Sequence, residues 1–217
     1  MRDFPFFDTE TGVSSLILKE IPYRQQAYIH IREIHEEGFG PHLKECVSFC
    51  RMAGAEQICA AGHPSLEGFA EYTRVIKYAG TAWVDKQMLA SLFPVTEQTA
   101  SRWREIYNEK MRRVDNAATL EKRDEEGLVA SGGGYFIHDA GKLLGIGWLE
   151  DTKLLAVAAA EPGAGSRVMH SLMSLVEGSA MTIEVASTNK KAIRLYEKLG
   201  FLPVEEISRW YDVTGIK

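Results

Sequence analysis

Cysteine is scarce in this chain, with only Cys46, Cys50 and Cys59 among 217 residues. Three are too few for a disulfide framework, so the fold has to rest on its core. An excess of basic charge is missing too. The formal net charge is −5, which gives no support to a general affinity for nucleic acid or anionic membrane, because both require a basic surface. No apolar run approaches a membrane span. The first residues, MRDFPFFDTETG, lack the charged-then-apolar layout of a signal peptide, so the expected location is the cytoplasm. There is no Cys-x-x-Cys pair and no His-Glu-x-x-His. His42, Cys46 and Cys50 do fall at i, i+4 and i+8 of an expected helix, a spacing that suits metal ligation. It is better read as a buried stripe of Leu43, Val47 and Cys50 flanked by Cys46, and no metal is expected.

What is present is ordinary for a soluble globular protein: 45% hydrophobic and 25% charged residues, in a length sufficient for one large or two small domains. Alternation and β-branched content predict strands at 27–33, 56–61, 74–79, 87–93, 153–160, 181–187 and about 206–213. Residues 134–139 and 142–150 flank Ala140-Gly141 and read as a hairpin. Helices are expected at 41–53, from about Thr96 onward, at about 117–127, and over SRVMHSLMSLVEG. In the last of these Val168, Leu172, Leu175 and Val176 share a face and Gly178 is the stop. The segment SGGG at 131–134 reads as a flexible connection. Strands broken by helices over a mixed sheet give an α/β or α+β layout.

The chain also echoes itself. A shift of 125 residues places HEEGFGPHL (35–43) on AEPGAGSRV (160–168), so Glu36 meets Glu161, Gly38 meets Gly163, Gly40 meets Gly165, Leu43 meets Val168 and Ile58 meets Ile183. Matched glycines in matched positions of a strand–turn–helix–strand unit argue for a duplicated module. The copies differ where the second reads NKKAIRLYEKLGF (189–201) and the first reads PSLEGFAEYTRVI, with neither the asparagine nor the tyrosine at the matching places.

Two segments can carry chemistry. EPGAGSR (161–167) joins a strand to a helix, and the unpaired amides of a helix start bind phosphate when glycines let a ligand approach. A dinucleotide fingerprint would need a third glycine where Val168 stands, and a Walker loop would need Gly-Lys-Ser/Thr, which is absent. NKKAIRLYEKLGF reads as an amphipathic helix with Asn189 as N-cap, Gly200 as stop, and Ala192, Leu195, Tyr196 and Leu199 inward. Taken alone, Tyr196 is better explained as a core aromatic with its hydroxyl at the rim than by chemistry.

In combination the segments are more specific. A strand, a Gly-x-Gly turn into a helix, a strand and then N-x-x-A-x-x-L-Y-E-K-L-G-F resembles the GNAT superfamily of acyl-CoA-dependent N-acetyltransferases, over about residues 86–217. The resemblance implies a mixed, mostly antiparallel central sheet flanked by helices. It also implies a division into an 82–217 acetyltransferase domain and a 1–81 N-terminal module, a degenerate partial copy that extends the sheet and lines the acceptor cleft. The implied activity is acetyl transfer from acetyl-CoA to an amine, by direct attack on the thioester. Gly163, Ala164, Gly165, Ser166 and Arg167 would hold the pyrophosphate, mostly through backbone amides. Val157 and Ala159 would offer backbone groups to the pantetheine arm, which lies where two strands splay. Asn189 would contact the arm and Tyr196 would act as general acid. The pattern is broken at Ala160, where the family has a basic residue or Gln, and at Pro162, which removes an amide donor.

A general base is not marked by any motif; Glu150, Glu184 and Glu105 are the candidates. The implied partner is a small-molecule or peptide amine, with neither nucleic acid nor membrane, and a homodimer is left open. The contrasting function class is a non-catalytic acyl-CoA-binding or interaction module.

Overall fold

The computed structural model describes residues 3–35 and 37–216, so Glu36 and its match to Glu161 lie outside the described residues. The chain forms two compact units, one running to Arg74 and resuming at Ile207, the other spanning Val75–Glu206. The sequence reading divides the chain at 81/82. By compactness the division runs inside one long strand near residue 74 and again inside the last strand.

The first unit opens with β1 (Phe4–Thr9) and β2 (Gly12–Ile17), then a single turn α1 (Ile21–Arg24), β3 (Gln26–Ile34), α2 (Phe39–Met52) and β4 (Gln57–Ala61). It also takes the start of β5 (Ala70–Thr81) and the end of β11 (Leu202–Asp212). Its sheet order is β1-β2-β3-β4-β11, antiparallel except for the β3–β4 pair. Residues His42, Leu43, Cys46, Val47 and Cys50 form the buried face of α2. They pack on Leu16, Ile29, Ile31 and Ile58. β1 and β2 are absent from the sequence reading. The reason is visible in β2, where Ser14, Ser15 and Leu16 are buried in succession, which erases the period-2 signal of a one-faced strand.

The second unit holds most of β5, then β6 (Ser91–Pro94), α3 (Ala100–Met111), α4 (Asp124–Ser131), β7 (Gly134–Asp139), β8 (Lys142–Glu150), β9 (Lys153–Ala159), α5 (Gly165–Met173), β10 (Ala180–Ala186) and α6 (Lys190–Lys198). The order is β5-β10-β9-β8-β7-β6, again with one parallel pair, β9–β10. This is the expected mixed, mostly antiparallel sheet flanked by helices. Val168, Met169, Leu172 and Met173 of α5 cover one face together with Tyr196 and Phe201. Trp103, Ile106, Tyr107 and Leu128 cover the other against Ile146, Ala156 and Ala158. The α5 helix sits close on β8 because Gly147 has no side chain, and a Cβ there would lie 2.3 Å from Leu172 Cδ1.

Several boundaries move from their expected places. Lys86–Met88 is a 3-10 turn capped by Asp85, so the strand expected at 87–93 shrinks to β6. Helix α3 starts at Ala100 because the Thr99 hydroxyl accepts from the Thr96 amide and forms a turn first. The second helix starts at Asp124, whose carboxylate accepts from the Glu121 amide. Ser131 ends that helix and Gly134 begins β7, leaving only Gly132 and Gly133 as connection. α5 ends at Met173, and Leu175, expected inward, is 42% exposed. The hairpin turn at Ala140-Gly141 is as read, with φ of 47° and 79°.

Candidate functional site

β10 lies on β5 through seven consecutive residue pairs, from Ala180↔Thr81 to Ala186↔Val75. β9 lies on β8 over its length, with one irregularity. The two inner strands meet each other only at Lys153↔Thr182 and Leu154↔Ile183, beyond which they part. Ala160 donates to the Leu144 carbonyl on the β8 side. Alternation along an antiparallel pair then turns the backbone groups of Val157 and Ala159 to the opposite edge, into the gap. A cavity of about 330 Å³ occupies this gap, lined by Leu155, Val157 and Val185 of the strands and by Tyr107 and Met111 of α3.

Tyr196 and Asn189 also line this cavity. Asn189 is the N-cap, its Oδ1 accepting from the Ala192 amide at 3.2 Å, which fixes where α6 begins and so which face Tyr196 presents. Tyr196 is 5% exposed, and burial pushes its phenol above the usual tyrosine value. Its hydroxyl has no hydrogen-bond partner among the described residues. Those residues leave no fully buried side-chain oxygen unsatisfied, so the hydroxyl meets the cavity rather than a protein acceptor.

The Gly-x-Gly turn lies beyond the end of β9 and outside the cavity lining. Gly163 adopts φ +83° with open space around it. Ala164 is the N-cap residue of α5 and makes no side-chain cap bond. The first amide of the helix to be bonded inside it is that of Val168, to Ala164 O, so the amides of Gly165, Ser166 and Arg167 stay open for a ligand. The Arg167 side chain is engaged elsewhere: Nη1 donates to Asp139 at 2.6 Å and Nη2 to the Leu89 carbonyl. That guanidinium holds the Asp139 carboxyl below the usual carboxylate range. Any contribution of Arg167 to an anion at this turn is thus its amide.

Of the three carboxylates considered as base, only Glu184 lines the cavity, and Lys153 Nζ is 2.6 Å from it. Glu150 is exposed at the end of β8, and Glu105 is exposed on α3 beside Arg102. The loop from 112 to 123 supplies site residues absent from the sequence reading, Asp115 and Asn116 among them. The Thr188 hydroxyl donates to Asp115 at 2.7 Å, and Asn108 bonds both the amide and the carbonyl of Leu120. No local motif announces these links, because each joins residues distant in sequence.

In the first unit the corresponding parallel pair is closed. β3 and β4 stay in register from Gln26↔Gln57 to His30↔Ala61, with no parting comparable to that of β9 and β10. Its α2 begins with Phe39-Gly40-Pro41, and the proline lacks an amide donor. His42 is fully buried. Its two ring nitrogens are hydrogen-bonded with the hydroxyls of Thr9 and Ser14 at 2.8 and 2.7 Å, and burial pushes its pKa down. Among the described residues no three His, Cys, Asp or Glu side chains gather as metal ligands, and no helix is long and apolar enough to cross a membrane.

By sequence, neither a family model nor a curated protein matches the chain. By structure it resembles solved GCN5-related N-acetyltransferases. The one from Anabaena variabilis superposes with TM-score 0.62 at 10% identity, covering 92% of this chain and 58% of that one. A conserved Enterococcus faecalis protein of unknown function, described as a probable N-acyltransferase, gives 0.65 at 12% identity over 94% of this chain and 59% of that one. A GNAT-family acetyltransferase from Colwellia psychrerythraea gives 0.50 at 11%, covering 95% and 84%. The likeness is one of fold. This chain spans somewhat under two thirds of the first two proteins.

Proposed function

We propose that the second unit transfers an acetyl group from acetyl-CoA to an amine. The carrying observation is the parting of β9 from β10 after Leu154 and Ile183, with the Tyr196 hydroxyl unpartnered in the gap. In this reading the edge of β9 at Val157 and Ala159 hydrogen-bonds the pantetheine arm. The amides of Gly165, Ser166 and Arg167 take the pyrophosphate, aided by the positive end of the α5 dipole. Asn189 fixes α6, and Tyr196 donates to the sulfur as the amine attacks the thioester and the carbon–sulfur bond breaks. The leaving thiolate, with a pKa of about 8.5, is a weaker base than the phenolate of a buried tyrosine, so Tyr196 stabilises it mainly by hydrogen bonding before any proton moves.

Release of free thiol from acetyl-CoA across a panel of amines tests this reading. An amine-dependent rate that scales with enzyme supports it; acetyl-CoA binding without thiol release favours the alternative, a non-catalytic acyl-CoA-binding module. One observation speaks for that alternative, namely that the only candidate base lining the cavity, Glu184, is paired with Lys153.

Burial raises the Tyr196 pKa, so the acid stays protonated and active further into the alkaline range than a free phenol would. The rate should therefore show no alkaline fall below about pH 10, while deprotonation of the amine raises it from the acid side. A falling limb centred near pH 8, absent in a Tyr196→Phe variant, would assign the acid to a different ionisation state.

One acetyl-CoA per chain is the expected calorimetric stoichiometry. The in-register β3–β4 pair and Pro41 leave the first unit with neither a strand gap nor a full set of amide donors. Two equivalent sites would contradict this.

A further inference from the structure

Arg113, Lys190 and Lys191 line a second cavity of about 270 Å³, together with Asp115, Thr188 and Asn189. Val114, Asp115 and Asn189 border the main cavity as well, so the two cavities are neighbours. Several other basic side chains of this unit stand against carboxylates, among them Arg102 with Glu105, Arg104 with Glu125, Arg123 with Glu121, Lys153 with Glu184 and Arg167 with Asp139. Arg113, Lys190 and Lys191 have no such partner among the described residues. Asp115 is the one acid in the lining, and the Thr188 hydroxyl already donates to it. The start of α6 is itself largely satisfied, since Ala192 N is bonded to Asn189 and Lys190 N to the Thr188 carbonyl. The positive character of the cavity therefore comes from side chains, and Asp115 offsets only one of three cations.

Like charges gathered without counterions repel one another, and an anion between them relieves that repulsion. We propose that this cavity is a phosphate subsite for a ligand whose reactive end lies in the main cavity. The inference rests on the acyl-CoA reading. The phosphate could come from the 3′-phosphate of the CoA adenosine or from a phosphate carried by the amine acceptor. Both present the same dianion to Arg113, Lys190 and Lys191.

Calorimetric titration of CoA and of dephospho-CoA, which lacks only the 3′-phosphate, separates these sources. It is run on the wild-type protein and on the triple variant Arg113→Gln, Lys190→Gln, Lys191→Gln. If the cosubstrate supplies the phosphate, the wild type should bind CoA about 10-fold more tightly than dephospho-CoA, the gap should shrink with added salt, and the triple variant should lose it. Lys198→Gln, on the same helix outside the cavity, should keep it. If the acceptor supplies it, CoA and dephospho-CoA should bind alike. Inorganic phosphate should then raise the melting temperature of the dephospho-CoA-loaded wild type and not of the loaded triple variant. Equal binding of both ligands with no phosphate effect that depends on the three cations overturns the subsite and leaves the acyl-CoA reading standing. Failure of both CoA forms to bind would sink the acyl-CoA reading instead. The phosphate melting shift of the free protein then decides the subsite alone: a shift lost in the triple variant upholds it, and no such shift ends it.

Discussion

Tyr196→Phe should lower turnover by about 10²–10⁴-fold, the usual reach of a general acid, with the affinity for acetyl-CoA near that of the wild type. The ring is 5% exposed and packs in the core shared by α5 and α6, so phenylalanine keeps the packing. The hydroxyl has no protein hydrogen-bond partner among the described residues, so its removal breaks no bond within the fold. Stability should stay within a few tenths of a kcal/mol, well below the ~1 kcal/mol lost with a typical internal hydrogen bond. A Phe variant with full turnover would return Tyr196 to the role of a core aromatic.

The largest effect on stability is expected at Trp103, the anchor of α3. Its side chain is fully buried and stacks on Tyr107 at 5.6 Å and 10°. It stands edge-on to Trp148, and its Nε1 donates to the Tyr135 carbonyl at 3.0 Å. Trp103→Ala removes the indole, opens a cavity under α3 and deprives Tyr135 of its donor, and should cost about 3–5 kcal/mol in urea unfolding. Trp103→Phe keeps most of the ring packing and should cost clearly less. Because α3 also carries Tyr107 and Met111 into the main cavity, the Ala variant should bind acetyl-CoA more weakly at temperatures where it remains folded. A loss below about 1 kcal/mol would mean that α3 does not depend on this anchor.

Elements with a local cause were legible in the sequence. The β7–β8 hairpin follows from Ala140-Gly141, which takes the positive φ values a two-residue turn requires. Helix α6 follows from Asn189, which caps it, and from Gly200, which leaves it at φ +87°. Elements defined by distant partners were not legible. Ser14 reads as a surface residue until His42 bonds it, so β2 carries no strand signal. Residues 112–123 contain helix formers, yet Asn108 holds Leu120 by two hydrogen bonds and the segment stays a loop. The site divides in the same way. Gly163, Asn189 and Tyr196 lie in recognisable stretches, whereas Asp115 enters the cavity lining beside Thr188, 73 residues away along the chain. The base shows the limit of motif reading, because three carboxylates of similar local context separate only when the strands place Glu184 alone at the cavity.

In the proposed function the gap between β9 and β10, together with the start of α5, is an acyl-CoA slot. Backbone amide hydrogen exchange, compared residue by residue with and without saturating acetyl-CoA, tests it most directly. Slowed exchange is expected at Val157, Ala159, Gly165, Ser166 and Arg167, the open amides of the β9 edge and the α5 start, with the β3–β4 pair of the first unit unchanged. Unchanged exchange at those five amides, or protection confined to β3, β4 and the start of α2, would contradict it.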